Sequence, residues 1–488
     1  MQKKNLIQTG RNKMPFILLF SFILIALEGC GMFEGEVVET SPPVYNRLIP
    51  IDPETGGEIP PGDPNTDPTD PGEEVVLDLV SGKYCSWVDG TESTSFFVRS
   101  DTTEDGGSVG GPLTRMFTRG SNDYGLRTGD PADSDPIPLG MTLFPIGMSR
   151  PVQLEAGSTH MAFLDVEDPD QTYPSWANIE IFGVNVDQGD YLGESIGGVL
   201  TREAYKVSTG HRHTAVLQRN NTVLMWGDNA YGQSGVPSLT DSNNFNDQAS
   251  SPAYAAIPNP EYAGPYGGPG IRYLAFDDVI DVSAGAYHTC LIRGPQNESG
   301  DVWCKGRNNF GQSGHSNDTD DDWHQIPITN AVKISAGADH TCTLTTEGKV
   351  FCWGRNVVGQ LGVSTTDIPE YTHEPQRVPN FLAKNLHVSY YATYAVSATG
   401  ELYSWGDDSF GAGGRGTING HVYTPTRVGS LSNVTDVGGT WFSIYAMTDV
   451  GDTARYYGWG DNRQNQIANG SSQNYNSPVE ITVPVTQF

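Results

Sequence analysis

An all-β fold, a seven-bladed β-propeller, is predicted by three observations. A unit made of a glycine-closed strand, an "HTC" strand, a strand ending in "WG" and a glycine-punctuated loop recurs along the chain. Seven such units fill nearly everything after residue 75, and one alone could not cover both faces of its sheet. No long stretch beyond the N-terminus carries capped helical periodicity. A count of 58 glycines in 488 residues, with only 18% charged residues, suits a protein of many turns.

In chain order, the first segment is an export signal, residues 1–29. Lys3, Lys4, Arg11 and Lys13 form a positive n-region, and Met14 to Leu27 is an apolar run too short to span a bilayer comfortably. "LEGC" closes it: Leu27, Gly29 and Cys30 resemble the bacterial lipobox, with Glu28 in place of the usual small or apolar residue. The resemblance implies a lipid on Cys30, and Gly31 rather than aspartate after it implies outer-membrane sorting. Residues 30–74 then read as a disordered Pro/Asp-rich linker, typified by "IPPGDPNTDPTDPGEE". Its aspartates lack the fixed offsets of an EF-hand loop.

The propeller occupies residues 75–488. Its clearest unit is "ISAGADHTCTLTTEGKVFCWGRNVVGQLG" (Ile334 to Gly362). Val332 to Ala336 is an apolar strand ending at Gly337. His340, Cys342 and Leu344 alternate with threonines as in a half-buried strand; "TTEG" is a hairpin turn; Val350 to Trp353 returns; and "EPQRV" (Glu374 to Val378) starts an edge strand. Val282 to Gly314, Val207 to Gly235, Val388 to Gly414, Val437 to Gln466 and Leu154 to Gly189 are further copies, and Leu79 to Gly129 is a degenerate one.

The recurring "HTCxL", "VxCWG" and "NxxGQLG" elements resemble the repeats of the regulator of chromosome condensation family. The resemblance covers roughly residues 76 to 488 and implies a seven-bladed propeller closed by pairing of terminal strands. "SPVEITVPV" (Ser477 to Val485) matches an edge strand that "VVLDLVSG" (Val75 to Gly82) lacks in front of it, so the two ends are expected to share one blade.

His160, His213, His288 and His340 fall at one repeat position, with Cys85, Tyr394 and Phe442 expected there elsewhere. Sheets stacked about 10 Å apart bring such side chains to one ion only near the axis, so a packing role is expected and no metal site. Trp226, Trp353, Trp405, Trp459 and Phe182 read as blade-to-blade packing, interrupted by Lys305 and Arg119. Cys290 with Cys304, and Cys342 with Cys352, occupy the same two repeat positions. Ala215 with Met225, Val396 with Ser404, and Ile444 with Gly458 replace them together, so the positions are expected to face across a hairpin as disulfides. "GESIG" (Gly193 to Gly197) matches the nucleophile-elbow pattern but is expected in a glycine loop rather than between a strand and a helix. No catalytic residue and no cofactor is expected. "NDTDDDWH" (Asn317 to His324) reads as a solvated acidic loop.

Recognition is expected where the units differ. The largest insertion, Pro237 to Phe276, carries Tyr254, Tyr262, Tyr266 and Tyr273 amid Pro and Gly, and Trp323 sits on another; these are the candidate partner-binding residues. A net charge of −30 excludes nucleic acid as partner. The expectation is a non-enzymatic, monomeric propeller, tied to the cell envelope only through its N-terminal lipid and binding a protein or glycan. The resemblance allows this, since secreted bacterial relatives include a propeller that inhibits β-lactamases by binding them. Two rivals remain: guanine-nucleotide exchange, the activity of the eukaryotic namesake, which an exported location disfavours, and, apart from the resemblance, a hydrolase or lyase using channel carboxylates.

Overall fold

The structure is a computed structural model; it describes the strands of residues 87–196 and most of residues 204–482. The signal, Cys30, the linker and Cys85 lie outside the described residues, as do Tyr262 and Tyr266.

Seven four-stranded antiparallel units follow one another. The first comprises β1 (Trp87–Gly90), β2 (Thr94–Ser100), β3 (Thr114–Gly120) and β4 (Thr142–Leu143). The second comprises β5 (Pro151–Ala156), β6 (His160–Val166), β7 (Ala177–Val184) and β8 (Tyr191–Ile196). The third holds β9 (Ala204–Thr209), β10 (His213–Gln218), β11 (Val223–Asp228) and β12 (Gln248–Tyr254), after which β13 (Ala256–Asn259) and β14 (Arg272–Ala275) pair as a separate hairpin. The fourth runs through β15 (Val279–Ala284), β16 (His288–Arg293), β17 (Gly300–Gly306) and the start of β18 (His324–Ala336). The end of β18 opens the fifth, with β19 (His340–Thr345), β20 (Lys349–Arg355) and the start of β21 (Tyr371–Val388). The end of β21 opens the sixth, with β22 (Ala392–Ser397), β23 (Leu402–Asp407) and β24 (His421–Arg427). The seventh is β25 (Val434–Gly438), β26 (Ser443–Val450), β27 (Thr453–Gly460) and β28 (Tyr475–Ile481). Among the described residues the helical content is a single 3-10 turn, Ser409–Gly411.

β18 and β21 serve two blades each, outermost in one and innermost in the next. Asn330 and Asn380, at φ of 61° and 53°, let the chain double back between the two roles, and Asn433 does the same before β25. Asparagine is among the few residues besides glycine that visit this left-handed region readily.

Stacking explains the composition of the second strands. Every residue of β10 and of β19 is buried, because a sheet lies against each face. The half-buried alternation expected of "HTCTLT" is therefore corrected: Thr341 and Thr343 are fully buried too. A threonine is tolerated there because its hydroxyl finds a partner, Thr341 donating to the Gln312 carbonyl at 2.9 Å and Thr343 to that of Lys333 at 2.8 Å.

Strand register corrects several equivalences. The histidines pair with the glycine that ends the third strand, as His288 does with Gly306. Ala392 pairs with Gly406, Ser443 with Gly460 and Thr94 with Gly120, so these hold the histidine position, not Tyr394, Phe442 and Cys85. Cys290 and Cys304 face each other and are bonded, as are Cys342 and Cys352. In the third blade Ala215 faces Met225, but in the sixth Tyr394 faces Ser404 and in the seventh Tyr445 faces Gly458. A buried tyrosine opposite a small residue thus fills the space that a disulfide fills elsewhere. Its hydroxyl donates to the carbonyl of Ala412 or of Gln466, at 2.9 and 3.2 Å.

Ring closure also differs from expectation. β1 lies against β25 and β26 on one side and β5 on the other. Among the described residues each terminal blade is built from its own stretch of chain, with no strand exchanged between the ends.

Candidate functional site

The residues that recur hold the blades to one another. His160, His213, His288 and His340 are fully buried, and each Nε2 meets the threonine hydroxyl of the next blade: Thr214, Thr289, Thr341 and Thr393, at 2.7–3.0 Å. Thr289, Thr341 and Thr393 in turn donate to the carbonyls of Gln233, Gln312 and Gln360. The hydroxyl proton is then spent, so the imidazole donates through Nε2–H and is neutral. Burial pushes all four histidines down to about 3. Two of the tryptophans reach the equivalent loop carbonyls, Trp353 Nε1 donating to Gln312 at 3.0 Å and Trp459 Nε1 to Ala412 at 2.7 Å. Among the described residues no cluster of metal-binding groups occurs.

Around the axis, one position of the inner strands reads Gln153, Lys206, Asp281, Lys333, Asn385 and Asp436 in successive blades. Lys206 pairs with Asp281 at 2.5 Å, Asp281 also accepts from the Ile334 amide at 2.8 Å, and Lys333 donates to Asn385 at 2.6 Å. These groups stitch neighbouring blades together. Glu155 beside them is pushed up to about 7, chiefly by loss of hydration in the channel, with Lys206 opposing.

The varying residues gather at one end. Two loops per blade reach it: the short one between the glycine and the histidine position, and the "NxxGQ" loop after the third strand. A backbone hydrogen bond joins them in each of five blades: Asp228 to Arg212, Arg307 to Tyr287, Arg355 to Asp339, Asp407 to Tyr391 and Asp461 to Phe442, donor named first, at 2.8–3.0 Å. The longer loop braces itself, Asn356 Oδ1 accepting from Leu361 N and Gln360 Oε1 from Val358 N. The residue after each "WG" is thereby fixed beside the short loop. That position reads Asp228, Arg307, Arg355, Asp407 and Asp461, so two adjacent arginines are flanked by aspartates.

Together the loops form an aromatic collar around a pocket of about 500 Å³, lined in part by Tyr287, Phe310, Asp339, Arg355, Tyr390 and Trp441. Tyr390 stacks on Trp441, ring centroids 4.0 Å apart and planes 14° from parallel. Its hydroxyl lies 3.3 Å from His211 Nδ1, in the blade nearly opposite, so the side chain reaches across the pocket. Burial raises the Tyr390 hydroxyl far above its ordinary range and lowers His211, which keeps both neutral at pH 7. Arg307 sits over the rings of Tyr231, Tyr287 and Phe310 at 5.3–5.8 Å, and Arg355 over Phe310 at 4.8 Å. Both share Asp339, at 3.9 and 3.2 Å.

Of the candidate partner-binding residues that are described, Tyr254, Tyr273 and Trp323, none is in this collar. Tyr254 ends β12 opposite Leu224, at the hairpin end of the blade, and Tyr273 pairs with Pro258 in the inserted hairpin. The β13–β14 hairpin thus follows β12 at the end of the blade away from the collar. Trp323 is corrected outright: it is 6% exposed and packs against Phe276, ring centroids 5.5 Å apart, in the core between the third and fourth blades. "GESIG" also differs, since Gly193 to Ile196 belong to β8, an outer strand where Ser195 pairs with Glu180. It is neither a loop nor an elbow. Of "NDTDDDWH", residues 317–321 lie outside the described residues, and His324 stacks on His315 with centroids 3.8 Å apart. The missed signal was the pair or trio of residues before the histidine position: "HR", "AY", "AD", "YY" and "TWF" differ from blade to blade, even in the third to fifth, where a glycine and a histidine flank them each time.

Seven four-stranded sheets stacked side by side, four of them carrying the histidine of the girdle, define a β-propeller. Residues 185–487, more than half of the chain, match the RCC1-like domain, and the chain belongs to that family. The ultraviolet-B receptor UVR8 of Arabidopsis thaliana is 25% identical over 345 residues, covering 59% of this chain and 71% of the receptor. The X-linked retinitis pigmentosa GTPase regulator of Mus musculus is 34% identical over 163 residues, 32% of this chain and only 14% of the regulator. Among solved structures, human WBSCR16 shares the fold at a TM-score of 0.56 and 17% identity, covering 80% of this chain and 94% of that one. Prp20p of Saccharomyces cerevisiae does so at 0.56 and 17%, covering 75% and 82%.

Proposed function

We propose that this chain is a non-enzymatic binding propeller that presents its aromatic–arginine collar to a partner protein, and that Cys30 carries a lipid holding it on a bacterial envelope, at the outer membrane. One observation carries the binding reading. The recurring histidine Nε2 atoms, threonine hydroxyls and glutamine carbonyls bond from blade to blade, whereas the varying loop residues converge on one pocket. The relatives argue in the same direction: a photoreceptor, a GTPase regulator and a probable ubiquitin ligase share the repeats, so the scaffold itself fixes no reaction. The lipid reading is supported by "LEGC" after an apolar run.

The binding test is capture from envelope extracts by the full chain, by Tyr390→Ala/Trp441→Ala, and by a deletion of residues 260–271, which spares β12, β13 and β14. Loss of captured proteins with the collar variant alone supports the reading; loss with the deletion alone refutes it. For the anchor, globomycin-sensitive palmitate labelling is expected in the wild type and absent in Cys30→Ala. An unlabelled wild type would end that half of the proposal.

A further inference from the structure

We infer that the notch between Arg307 and Arg355 receives a carboxylate from an acidic segment of a partner polypeptide, an inference that rests on the collar being the binding face. The two guanidinium groups sit side by side at the pocket rim, their side chains 25% and 33% exposed, above an Asp339 carboxylate only 10% exposed. One aspartate stands between two arginines, so the notch keeps a net positive charge with exposed donors. Both guanidiniums lie over aromatic rings, which orients them before any ligand arrives. A planar fork held in place is suited to a carboxylate, which it can meet with two parallel hydrogen bonds.

The surroundings narrow the partner. Asp228, Asp407 and Asp461 hold the corresponding position in the neighbouring blades, and the whole chain carries a charge of −30. A polyanion would meet that field along its length, whereas a single acidic side chain answers mainly to the arginines within a Debye length. Tyr287, Phe310 and Tyr391 supply apolar wall for the residues flanking the acid. A sugar would need an open aromatic face to stack on. Tyr390 and Trp441 have turned theirs to each other, which favours a peptide over an acidic glycan.

The test is an array of short peptides in matched pairs that differ only by glutamate or glutamine, probed with the full chain. Acidic members are expected to be retained about tenfold better than their amides, the ordinary worth of a charge-assisted pair. Arg307→Gln/Arg355→Gln is expected to equalise the pairs. Arg427→Gln, on the outer strand β24 and paired with Glu401, is expected to leave the preference intact. Equal retention of both members by the wild type, or a preference that survives the double substitution, overturns the inference. If those peptides are still lost on Tyr390→Ala, the collar reading stands and only the carboxylate fails; if Tyr390→Ala changes nothing, both fall. A silent array, stronger retention of a phosphoserine member, or binding of oligogalacturonate in preference to every peptide would each overturn the peptide carboxylate.

Discussion

The four girdle histidines make the propeller acid-labile in a window that can be calculated. Each is pushed down to about 3 in the fold, from an ordinary 6.5. The folded state therefore binds these protons more weakly than the unfolded chain. The stability they permit is complete above about pH 6.5 and drains away as the pH falls toward 3. At pH 5.5 the unfolded chain is favoured by about 1–2 kcal/mol per histidine, about 6 kcal/mol for the four. Glu155 acts oppositely: its carboxyl is raised in the fold, so the same descent in pH relieves the cost of burying its charge and takes back part of the loss. A net loss of several kcal/mol between pH 7.5 and 5.5 is expected from urea unfolding followed by tryptophan fluorescence. His387, pushed down to about 4 by burial, adds its share in the same direction, so His213→Gln/His340→Gln, which keeps a donor toward Thr289 and Thr393 but cannot protonate, should remove about half of the net slope. A flat profile in the wild type, or an undiminished slope in the double variant, would refute the reasoning.

Thr341→Val keeps the shape of the side chain but strands the His288 Nε2–H and removes one donor from the Gln312 carbonyl, which retains Trp353. A loss of about 3 kcal/mol in the same unfolding assay is expected, and under about 1 kcal/mol would show the girdle to be incidental. Cys342→Ala/Cys352→Ala removes a bond across ten residues and should cost about 3 kcal/mol in the chain-entropy picture; a variant as stable as the oxidised wild type would count against it. Tyr394→Phe deletes the hydroxyl bond to Ala412, whose carbonyl still holds Trp459 Nε1, so a loss of about 1 kcal/mol is expected by thermal unfolding.

The repeat was legible because its physics is local and redundant: a glycine must end the inner strand where a Cβ at Gly337 would fall 2.4 Å from the Ser389 carbonyl of the next blade. The cysteine pairs were legible from their joint presence and absence. Register in the sixth and seventh blades was not, since Tyr394, two residues past the histidine position, and Phe442, one residue before it, mimic the histidine in strings of aromatics. Tyr394 belongs with the cysteines only because it faces Ser404, which pairing reveals and spacing hides. The collar was missed for a related reason. Arg307, Arg355, Tyr390 and Trp441 lie far apart in the chain, inside quoted repeats whose regularity drew attention to what stayed constant. Trp323 misled because a large residue beside an acidic loop reads as exposed, whereas it closes the core behind Phe276.

Tyr390, laid across the rim from one blade to its near-opposite neighbour, ties two distant sectors of the ring together. Glu155, Lys206 and Lys333 are stripped of water by burial in the fold itself, so whatever settles on the collar has no hydration of theirs to displace.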